Sequence, residues 1–399
     1  MKIAPTDICT GCMACINVCP VNCISPYEDD EGFCQPIIDK TKCINCGKCT
    51  AACPVLNAPI KHTDDTPVVY AVWNKDPLLL SKSTSGGAFG ALAKQVLNGK
   101  GIVYGVAYSE DLLVNHIRVT TEDELQKLHG SKYVQSKIGY IYRSIKEDLD
   151  KAINVLFSGT PCQVAGLYGF LGHDKYDNLY TCDLVCHGVP SPGVYEKYIK
   201  YMEEKNNSKM INIEMRTKKR GWNSTLDMKH SYENGTVIET FDAFNDPYMN
   251  GFLYDLILRK SCYECRYAKI PRESDITLAD FWGIGSEMPF NHPTEQGISM
   301  IMINTSRGKD LFNICKNNVY FEERNLNEAK KGNVMLSPRV HSNPNREKFF
   351  NDQKIMPFDV LTKKYLSRKE SIKNRFINII IKTLGRDNIK RIKNVMKIG

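Results

Sequence analysis

The N-terminal part of the chain contains one cysteine pattern twice, as CTGCMACINVCP at residues 9–20 and as CINCGKCTAACP at residues 43–54. Each copy reads C-x2-C-x2-C-x3-C-P, the spacing with which bacterial proteins hold 4Fe–4S clusters. The short gaps let three sulfurs converge from one tight turn, so the fourth sulfur must come from elsewhere. The repeat therefore predicts that residues 1–56 form a module with two 4Fe–4S clusters.

The ligand sets follow from the arrangement in two-cluster ferredoxins, in which the last cysteine of each run ligates the other cluster. By that logic one cluster is held by Cys9, Cys12, Cys15 and Cys53, and the other by Cys19, Cys43, Cys46 and Cys49. Zinc and disulfides are the alternatives. Zinc sites usually show C-x2-C pairs separated by a longer gap, and disulfides are typical of small secreted domains.

Length and composition indicate a soluble globular protein. At 399 residues the chain exceeds one ordinary domain, so two or three domains are expected. The N-terminal sequence MKIAPTDICT has no apolar signal core, and no apolar stretch approaches the roughly 20 residues of a membrane span. Sixteen cysteines in such a chain indicate a redox or metal function in a reducing cytoplasm.

Behind the cysteine module the sequence predicts a mixed α/β body. A polar, proline-bearing linker is expected at 57–67, followed by one part of the body at 68–152 and a second part at 153–340. We expect strands at 68–73, 102–108, 154–157, 179–185, 211–216, 276–279 and 298–304. Helices are expected at 88–97, after Thr121, and at 141–152, 162–171, 192–204 and 246–259. Asn234-Gly235 predicts a hairpin, which makes the later part antiparallel.

A further set of cysteines is dispersed through the body. Cys262 and Cys265 form another C-x2-C pair, and with Cys162 and either Cys182 or Cys186 they would make four ligands. Such ligands fit a third cluster or zinc, and the alternative is a set of ordinary buried cysteines. Cys23, Cys34 and Cys315 belong to no pattern and are interpreted as structural.

Two glycine-containing loops precede helices, at residues 83–87 (STSGG) and 158–161 (SGTP). Backbone N–H groups at such a helix start can bind a phosphate, although a capping turn is the commoner role. Because clusters pass single electrons and most organic substrates take two, a flavin is the usual converter. Its pyrophosphate would be held at these loops.

Five motifs together resemble one family. They are Ser85-Gly86-Gly87, the segment from Ser158 to Gln163, the segment from Cys186 to Ser191, Cys262-x2-Cys265-Arg266, and Asp275-Ile276 with Asp280-Phe281-Trp282-Gly283. In this order they resemble the beta subunits of coenzyme F420 hydrogenases and dehydrogenases, over about residues 1–335. The resemblance implies FAD with a cluster beside it, and it makes Cys162, Cys186, Cys262 and Cys265 the ligands of a third 4Fe–4S cluster. Cys182 is then spare, or replaces Cys186.

These observations predict an FAD- and iron–sulfur-dependent oxidoreductase that passes electrons from the cluster module through a third cluster to FAD and on to an unidentified small-molecule substrate. The expected cofactor-binding residues are Ser85, Gly86, Gly87, Lys132, Gly159, Thr160 and Asp280. Two alternatives are a deazaflavin (coenzyme F420) dependent oxidoreductase and a flavin-free electron-carrier subunit. The redox partner would be a ferredoxin or a reductase. Asp280 and His187 are candidates for an acid or a base, and the basic run 216–222 is a candidate for contacting an anion.

The C-terminal segment 358–399 is expected to be a basic, helical tail. From Lys363 onward twelve Lys/Arg face two acids, so the tail carries +10 while residues 1–362 carry −2. A basic amphipathic helix suits an anionic membrane surface or an acidic protein, or it packs on the body as a terminal helix. No sequence motif of a nucleic-acid-binding domain accompanies the tail, so nucleic acid is not expected as a partner. The expected location is the cytoplasm, extending to the inner face of the membrane.

Overall fold

The computed structural model describes residues 3–58, 66–172, 176–222, 226–337 and 340–367. The helices are α1 (Ala14–Val18), α2 (Lys48–Ala51), α3 (Pro77–Lys82), α4 (Ala88–Asn98), α5 (Glu122–Leu125), α6 (Ile141–Asp150), α7 (Pro161–Leu171), α8 (Pro192–Asn206), α9 (Pro247–Leu253), α10 (Ser306–Cys315), α11 (Leu326–Gly332), α12 (Arg346–Asp352) and α13 (Phe358–Leu361). Most of the predicted linker 57–67 and most of the predicted tail 358–399 lie outside the described residues.

Thirteen strands are assigned within the described ranges. They are β1 (Ile24–Glu28), β2 (Cys34–Ile38), β3 (Val68–Asn74), β4 (Ile102–Tyr108), β5 (Val114–Val119), β6 (Val155–Ser158), β7 (Leu179–Leu184), β8 (Met210–Thr217), β9 (Asp227–Tyr232), β10 (Val237–Thr240), β11 (Ile276–Asp280), β12 (Ser299–Ile303) and β13 (Val319–Arg324). The mixed α/β class predicted from the sequence is confirmed.

An eight-stranded sheet organises the body, in the order β13-β3-β12-β11-β7-β6-β4-β5. The four strands β11, β7, β6 and β4 are parallel, whereas the strands on both flanks pair antiparallel. The parallel strands read as short apolar runs because both of their faces are covered. Strand β3 pairs with β12 and β13, so the two predicted parts of the body share this sheet.

Alternate residues of β6 show how the two faces of the sheet are used. Leu156 packs with Leu92 of α4 and Phe312 of α10, which cover one face. Phe157 points to the other face and packs with residues of α6 and α7 and with Ile16 of α1. The cysteine module is therefore part of the layer that covers the second face. A separate three-stranded sheet, β10-β9-β8, packs with α8 and α9 in another core.

Helix α7 brings the cysteine module close to the sheet through two glycines. A Cβ added at Gly166 would lie 2.7 Å from the Cβ of Cys12, and one added at Gly169 would lie 2.3 Å from the carbonyl oxygen of Ala52. Arg143 of α6 strengthens the contact by donating hydrogen bonds to the backbone oxygens of Ile16, Asn17 and Cys19. The module is thus packed directly on the body.

The sequence predictions match most elements and miss some. The elements that were not predicted are the strands β1, β2, β5 and β13 and the helices α1, α2, α3, α10, α11 and α12. The helix predicted at 246–259 was too long, because α9 ends at Leu253. Asp255 adopts left-handed backbone (φ 57), and the N–H of Leu256 bonds the carbonyl oxygen of Gly251 at 2.9 Å. This geometry terminates a helix. Across the described ranges, no helix has the length and apolar character needed to span a membrane.

Candidate functional site

The first cysteine group comprises Cys9, Cys12, Cys15 and Cys53, which line one cavity. The last cysteine of the second run thus lies with three cysteines of the first. Gly11 (φ 69) and Met13 (φ 60) have left-handed backbone, which bends the loop around the cavity. Burial raises the pKa of Cys12 to about 12, and the charges of Cys9 and Cys53 contribute in the same direction. Thiolates crowded in this way require a compensating cation, so the donor set fits an iron–sulfur cluster.

The second cysteine group comprises Cys19, Cys43, Cys46 and Cys49, which line another cavity together with Cys23. The sulfurs of Cys19 and Cys23 are 3.5 Å apart, and the N–H of Cys23 bonds the sulfur of Cys19 at 3.3 Å. The sequence interpretation of Cys23 as merely structural missed this contact. Cys46 is exposed, so this group lies at the protein surface.

The third cysteine group comprises Cys162, Cys186, Cys262 and Cys265, which line a cavity of about 260 Å³. Cys162 is near the start of α7, Cys186 follows β7, and the other two follow the irregular chain after α9. Cys182 lies elsewhere, fully buried within β7 in the core beneath α4 and α10. Burial raises the pKa of Cys162 to about 12, and Arg259 acts in the opposite direction.

The three groups are arranged around cavities rather than single points. Among the residues that the structure describes, no three or more His, Cys, Asp or Glu side chains converge as they would around one metal ion. The cavities of the first and third groups share Thr10 and Val55 in their walls. The first group therefore adjoins the third, and the second group lies at the surface.

A larger cavity of about 450 Å³ lies beside the third cysteine group. Its wall contains six of the seven predicted cofactor-binding residues, namely Ser85, Gly87, Lys132, Gly159, Thr160 and Asp280. The seventh, Gly86, packs against the sheet, where an added Cβ would lie 2.2 Å from the carbonyl oxygen of Val72. The hydroxyl of Thr160 is 3.2 Å from the sulfur of Cys162, so Thr160 connects this cavity to the third group.

One end of the large cavity is suited to an anion. Helix α4 starts after Gly87 (φ 78) without a side-chain cap, which leaves its first N–H groups available. Lys132 donates to the carbonyl oxygens of His129 and Gly130, and burial lowers its pKa to about 7. Both ring nitrogens of His129 lack a hydrogen-bond partner among the described residues. The sequence interpretation missed His129, because a lone histidine carries no motif.

Another part of the cavity wall is held by an ion pair. The carboxylate of Asp280 accepts from Arg216 at 3.1 Å and from the indole N–H of Trp222 at 2.7 Å. Trp222 stacks on Trp282 with ring centroids 4.7 Å apart and planes 7° apart. Asp280 is thus an anchor for Arg216 and Trp222, which does not favour its predicted role as an acid or base.

The basic run 216–222 and His187, which were also predicted as site residues, do not lie together around one cavity. Within the run 216–222 only Arg216 lines the large cavity. Lys218 donates to the carbonyl oxygens of Leu80, Ser85 and Gln296 and so holds the loop before α4; burial lowers its pKa to about 8. His187 lines the cavity of the third cysteine group and bonds Asp255 at 2.7 Å.

Family models match two regions of the chain. Residues 153–329 match the C terminus of the beta subunit of coenzyme F420 hydrogenase/dehydrogenase. Residues 8–57 match a 4Fe–4S dicluster domain, and a second model of that kind matches residues 35–82.

Individual proteins resemble the same regions. An uncharacterised protein of Methanocaldococcus jannaschii is 26% identical over 206 residues, which are 44% of this chain and 56% of that protein. One subunit of the F420H2 dehydrogenase of Methanosarcina mazei is 23% identical over 180 residues, which are 41% of this chain and 48% of that subunit. The chain thus spans about half the length of these two relatives. A 7Fe ferredoxin of Hydrogenibacillus schlegelii is 44% identical over 69 residues, covering 17% of this chain and 80% of the ferredoxin.

A solved structure, the xenon-derivatised F420-reducing NiFe hydrogenase complex of Methanosarcina barkeri, contains a chain that matches 74% of this one. The match covers 90% of that chain, with 18% identity and a TM-score of 0.44.

Proposed function

Because the chain carries the C-terminal domain of coenzyme F420 hydrogenase/dehydrogenase beta subunits behind a 4Fe–4S dicluster domain, we propose that it is an iron–sulfur flavoprotein oxidoreductase. Three 4Fe–4S clusters, held by the three cysteine groups, connect the protein surface to an FAD in the large cavity. The observation that carries this proposal is the contact of Thr160, in the wall of the large cavity, with the sulfur of Cys162 at 3.2 Å.

Electrons enter at the second group in this proposal. Cys46 is exposed, and the surrounding segment carries Lys40, Lys42, Lys48 and the exposed side chain of Ile44. Asp39 is the one nearby acid in this segment, and it pairs with Lys42 at 3.3 Å. An apolar side chain among lysines suits a small acidic redox protein, because opposite charge steers association. In this proposal electrons pass from the second group to the first group and then to the third group.

The residues of the large cavity bind and orient the flavin. The N–H groups at the start of α4 and the ammonium of Lys132 would hold its pyrophosphate. Lys218 keeps the preceding loop in place through the carbonyl oxygen of Ser85. Arg216, fixed by Asp280, supplies a second positive charge in the wall of the cavity. When bound, FAD converts between one-electron and two-electron transfer, which clusters alone do not do.

Cofactor content tests this proposal. Anaerobically reconstituted protein should contain about twelve irons per chain, four for each cluster, and one FAD. A Cys265→Ala variant should contain about four irons fewer, while a Cys315→Ala variant should contain as many as the unaltered protein. Cys315 is a suitable control because it is buried in the core beneath α4 and belongs to none of the three groups. About eight irons without flavin would instead identify an electron-carrier subunit.

Reduced coenzyme F420 is the first two-electron donor to test, because the matched family and the Methanosarcina mazei relative are named for it. Under argon, F420H2 should bleach the flavin absorbance of the reconstituted protein. Bleaching by dithionite but not by F420H2 would assign the flavin to another substrate and leave the proposed electron path unchanged.

A further inference from the structure

Arg259 is a buried arginine whose guanidinium bonds neutral groups. It is 1% exposed. Its Nε donates to the carbonyl oxygen of Cys9 at 2.7 Å, and its Nη1 donates to the carbonyl oxygen of Cys34 at 3.2 Å. The side-chain oxygens of Gln135 and Gln35 accept from Nη1 and Nη2 at 3.0 and 2.7 Å. Every hydrogen bond of this cation therefore ends on an uncharged oxygen.

The other buried arginines of the described chain are different. Arg216, Arg272, Arg324 and Arg346 each form an ion pair with a carboxylate, from Asp280, Asp183, Glu328 and Glu31 respectively. Within the described ranges, no carboxylate lies at ion-pair distance from Arg259. A buried charge is strongly unfavourable unless something of opposite charge compensates it. Four neutral acceptors and the ring of Phe33, whose centroid is 5.3 Å from the guanidinium carbon, solvate Arg259 but supply no opposite charge. The charge is therefore left for a group other than a carboxylate to balance.

Arg259 is attached to two of the cysteine groups at once. Its backbone carbonyl accepts from the N–H of Cys262 at 2.9 Å, which fixes it to the third group. Its side chain reaches the first group at Cys9 and passes over Gly11, where an added Cβ would lie 2.8 Å from Nη1. The guanidinium thus lies between the first and third cysteine groups, whose cavities share Thr10 and Val55 in their walls.

On the basis of the proposed function, we infer that Arg259 is a counter-charge shared by the iron–sulfur centres of the first and third cysteine groups, and that it raises the reduction potential of the first centre. A cluster bound by four thiolates is anionic and becomes more negative when it is reduced. A fixed cation beside it stabilises the reduced form more than the oxidised form. Net charge and hydrogen bonding around a cluster are established determinants of its potential. Arg259 is therefore a positioning and tuning residue that makes the first centre a better electron acceptor.

The test is a potentiometric titration of the anaerobic holoprotein, followed by electron paramagnetic resonance. The first centre is assigned as the signal that Cys12→Ala removes. Arg259→Gln should make reduction of this centre at least tenfold less favourable, a fall of at least about 59 mV for one electron. Arg259→Lys retains the charge and should keep most of the original potential. The second centre provides an internal control, and its potential should not change.

A second variant leaves the arginine in place. Gln135→Glu puts a carboxylate where the Gln135 oxygen now accepts from Nη1, and it should lower the potential of the first centre in the same direction. If the Arg259 variants lose iron, this variant decides the question. An unchanged potential in Gln135→Glu, or an equal fall in Arg259→Lys and Arg259→Gln, would overturn the inference. Iron content of the unaltered protein is measured first, so that absence of the clusters is recognised as failure of the proposed function.

Discussion

Among single residues, Lys132 gives the large cavity a property that can be measured. Its side chain is half-buried and its ammonium donates to two carbonyl oxygens, and no carboxylate is bonded to it within the described residues. Burial lowers its pKa from 10.5 to about 7. A bound phosphate would favour the charged form and raise this pKa again. Binding of an anion at this end of the cavity is therefore coupled to uptake of a proton by Lys132.

This coupling predicts how the affinity for FAD depends on pH. Below pH 7 the lysine is already charged, and the dissociation constant should stay level. Above pH 7 the cofactor-free protein must gain a proton on binding, so the constant should rise by up to about tenfold per pH unit. Fluorescence quenching of FAD by cofactor-free protein gives the dissociation constant at each pH between 6 and 9. In Lys132→Arg the dissociation constant for FAD should not rise with pH, and Lys132→Met should bind FAD weakly at every pH. A dissociation constant that does not change with pH in the unaltered protein would contradict the role assigned to Lys132.

The residues of the large cavity were predictable to the extent that they belong to local motifs. Gly159 and Thr160 lie on the loop between β6 and α7, and the carboxyl ends of parallel strands meet at one edge of a sheet. Ser85 and Gly87 lie on the loop between α3 and α4, and their glycine-containing motif directly before a helix was the signal. His129 and Arg259 could not be found in this way, because their roles depend on which residues surround them. The residues alone left the choice between Cys182 and Cys186 open for the same reason, because spacing does not show that Cys182 is buried within β7 and that Cys186 lies beyond its end.

At the scale of elements, helix α7 joins the cysteine module to the third group. Its first turn contains Cys162, and Gly166 one turn later contacts Cys12. The two cysteine groups are held together by one short helix. Helix α9 is an element whose end was predicted wrongly, since the helix was expected to continue to Arg259. The left-handed turn at Asp255 ends α9 early and returns the chain to Val189, whose carbonyl oxygen accepts from the N–H of Arg259 at 2.9 Å.

The close approach of α7 predicts the effect of adding a methyl group. In Gly166→Ala the new Cβ would lie 2.7 Å from the Cβ of Cys12 and 2.9 Å from the hydroxyl of Tyr142. Both neighbours are buried, and the hydroxyl of Tyr142 donates to the carbonyl oxygen of Gln163, so neither can move aside easily. We expect a loss of about 1–3 kcal/mol in the free energy of unfolding and loss of iron from the first group.

The matched control is Gly90→Ala in α4, where the nearest atom to the added Cβ is 3.5 Å away. Anaerobic urea unfolding and iron analysis of both variants make the comparison. Equal stability and iron content in Gly166→Ala and the unaltered protein would show that the helix and the cysteine module can separate without cost.

At the scale of the whole molecule, the cysteine groups form an ordered series from the surface to the large cavity. The module with its repeated motif lies at the outer end of this series, and the dispersed cysteines lie at the inner end. Sequence spacing predicted the first two groups, because their ligands are close along the chain. The order of the series depends instead on α7 and on the cavity walls, which only the fold determines.

This order predicts that the lysines around the second group control how fast electrons enter. Charge reversal by Lys40→Glu with Lys48→Glu should slow reduction by an acidic ferredoxin at least tenfold at low ionic strength, because attraction becomes repulsion. The difference should shrink as salt is added, since exposed charges are screened beyond about 8–10 Å at physiological salt. Stopped-flow absorbance under argon measures the rate. The control is Lys200→Glu with Lys229→Glu, on α8 and in the three-stranded sheet, which changes the net charge by the same amount as the first pair. Dithionite should reduce all variants equally, because its small size removes the need for docking. If both variants slow the ferredoxin reaction to the same extent, electrons enter elsewhere, and the first group, whose cavity adjoins the third, becomes the next point of input to test.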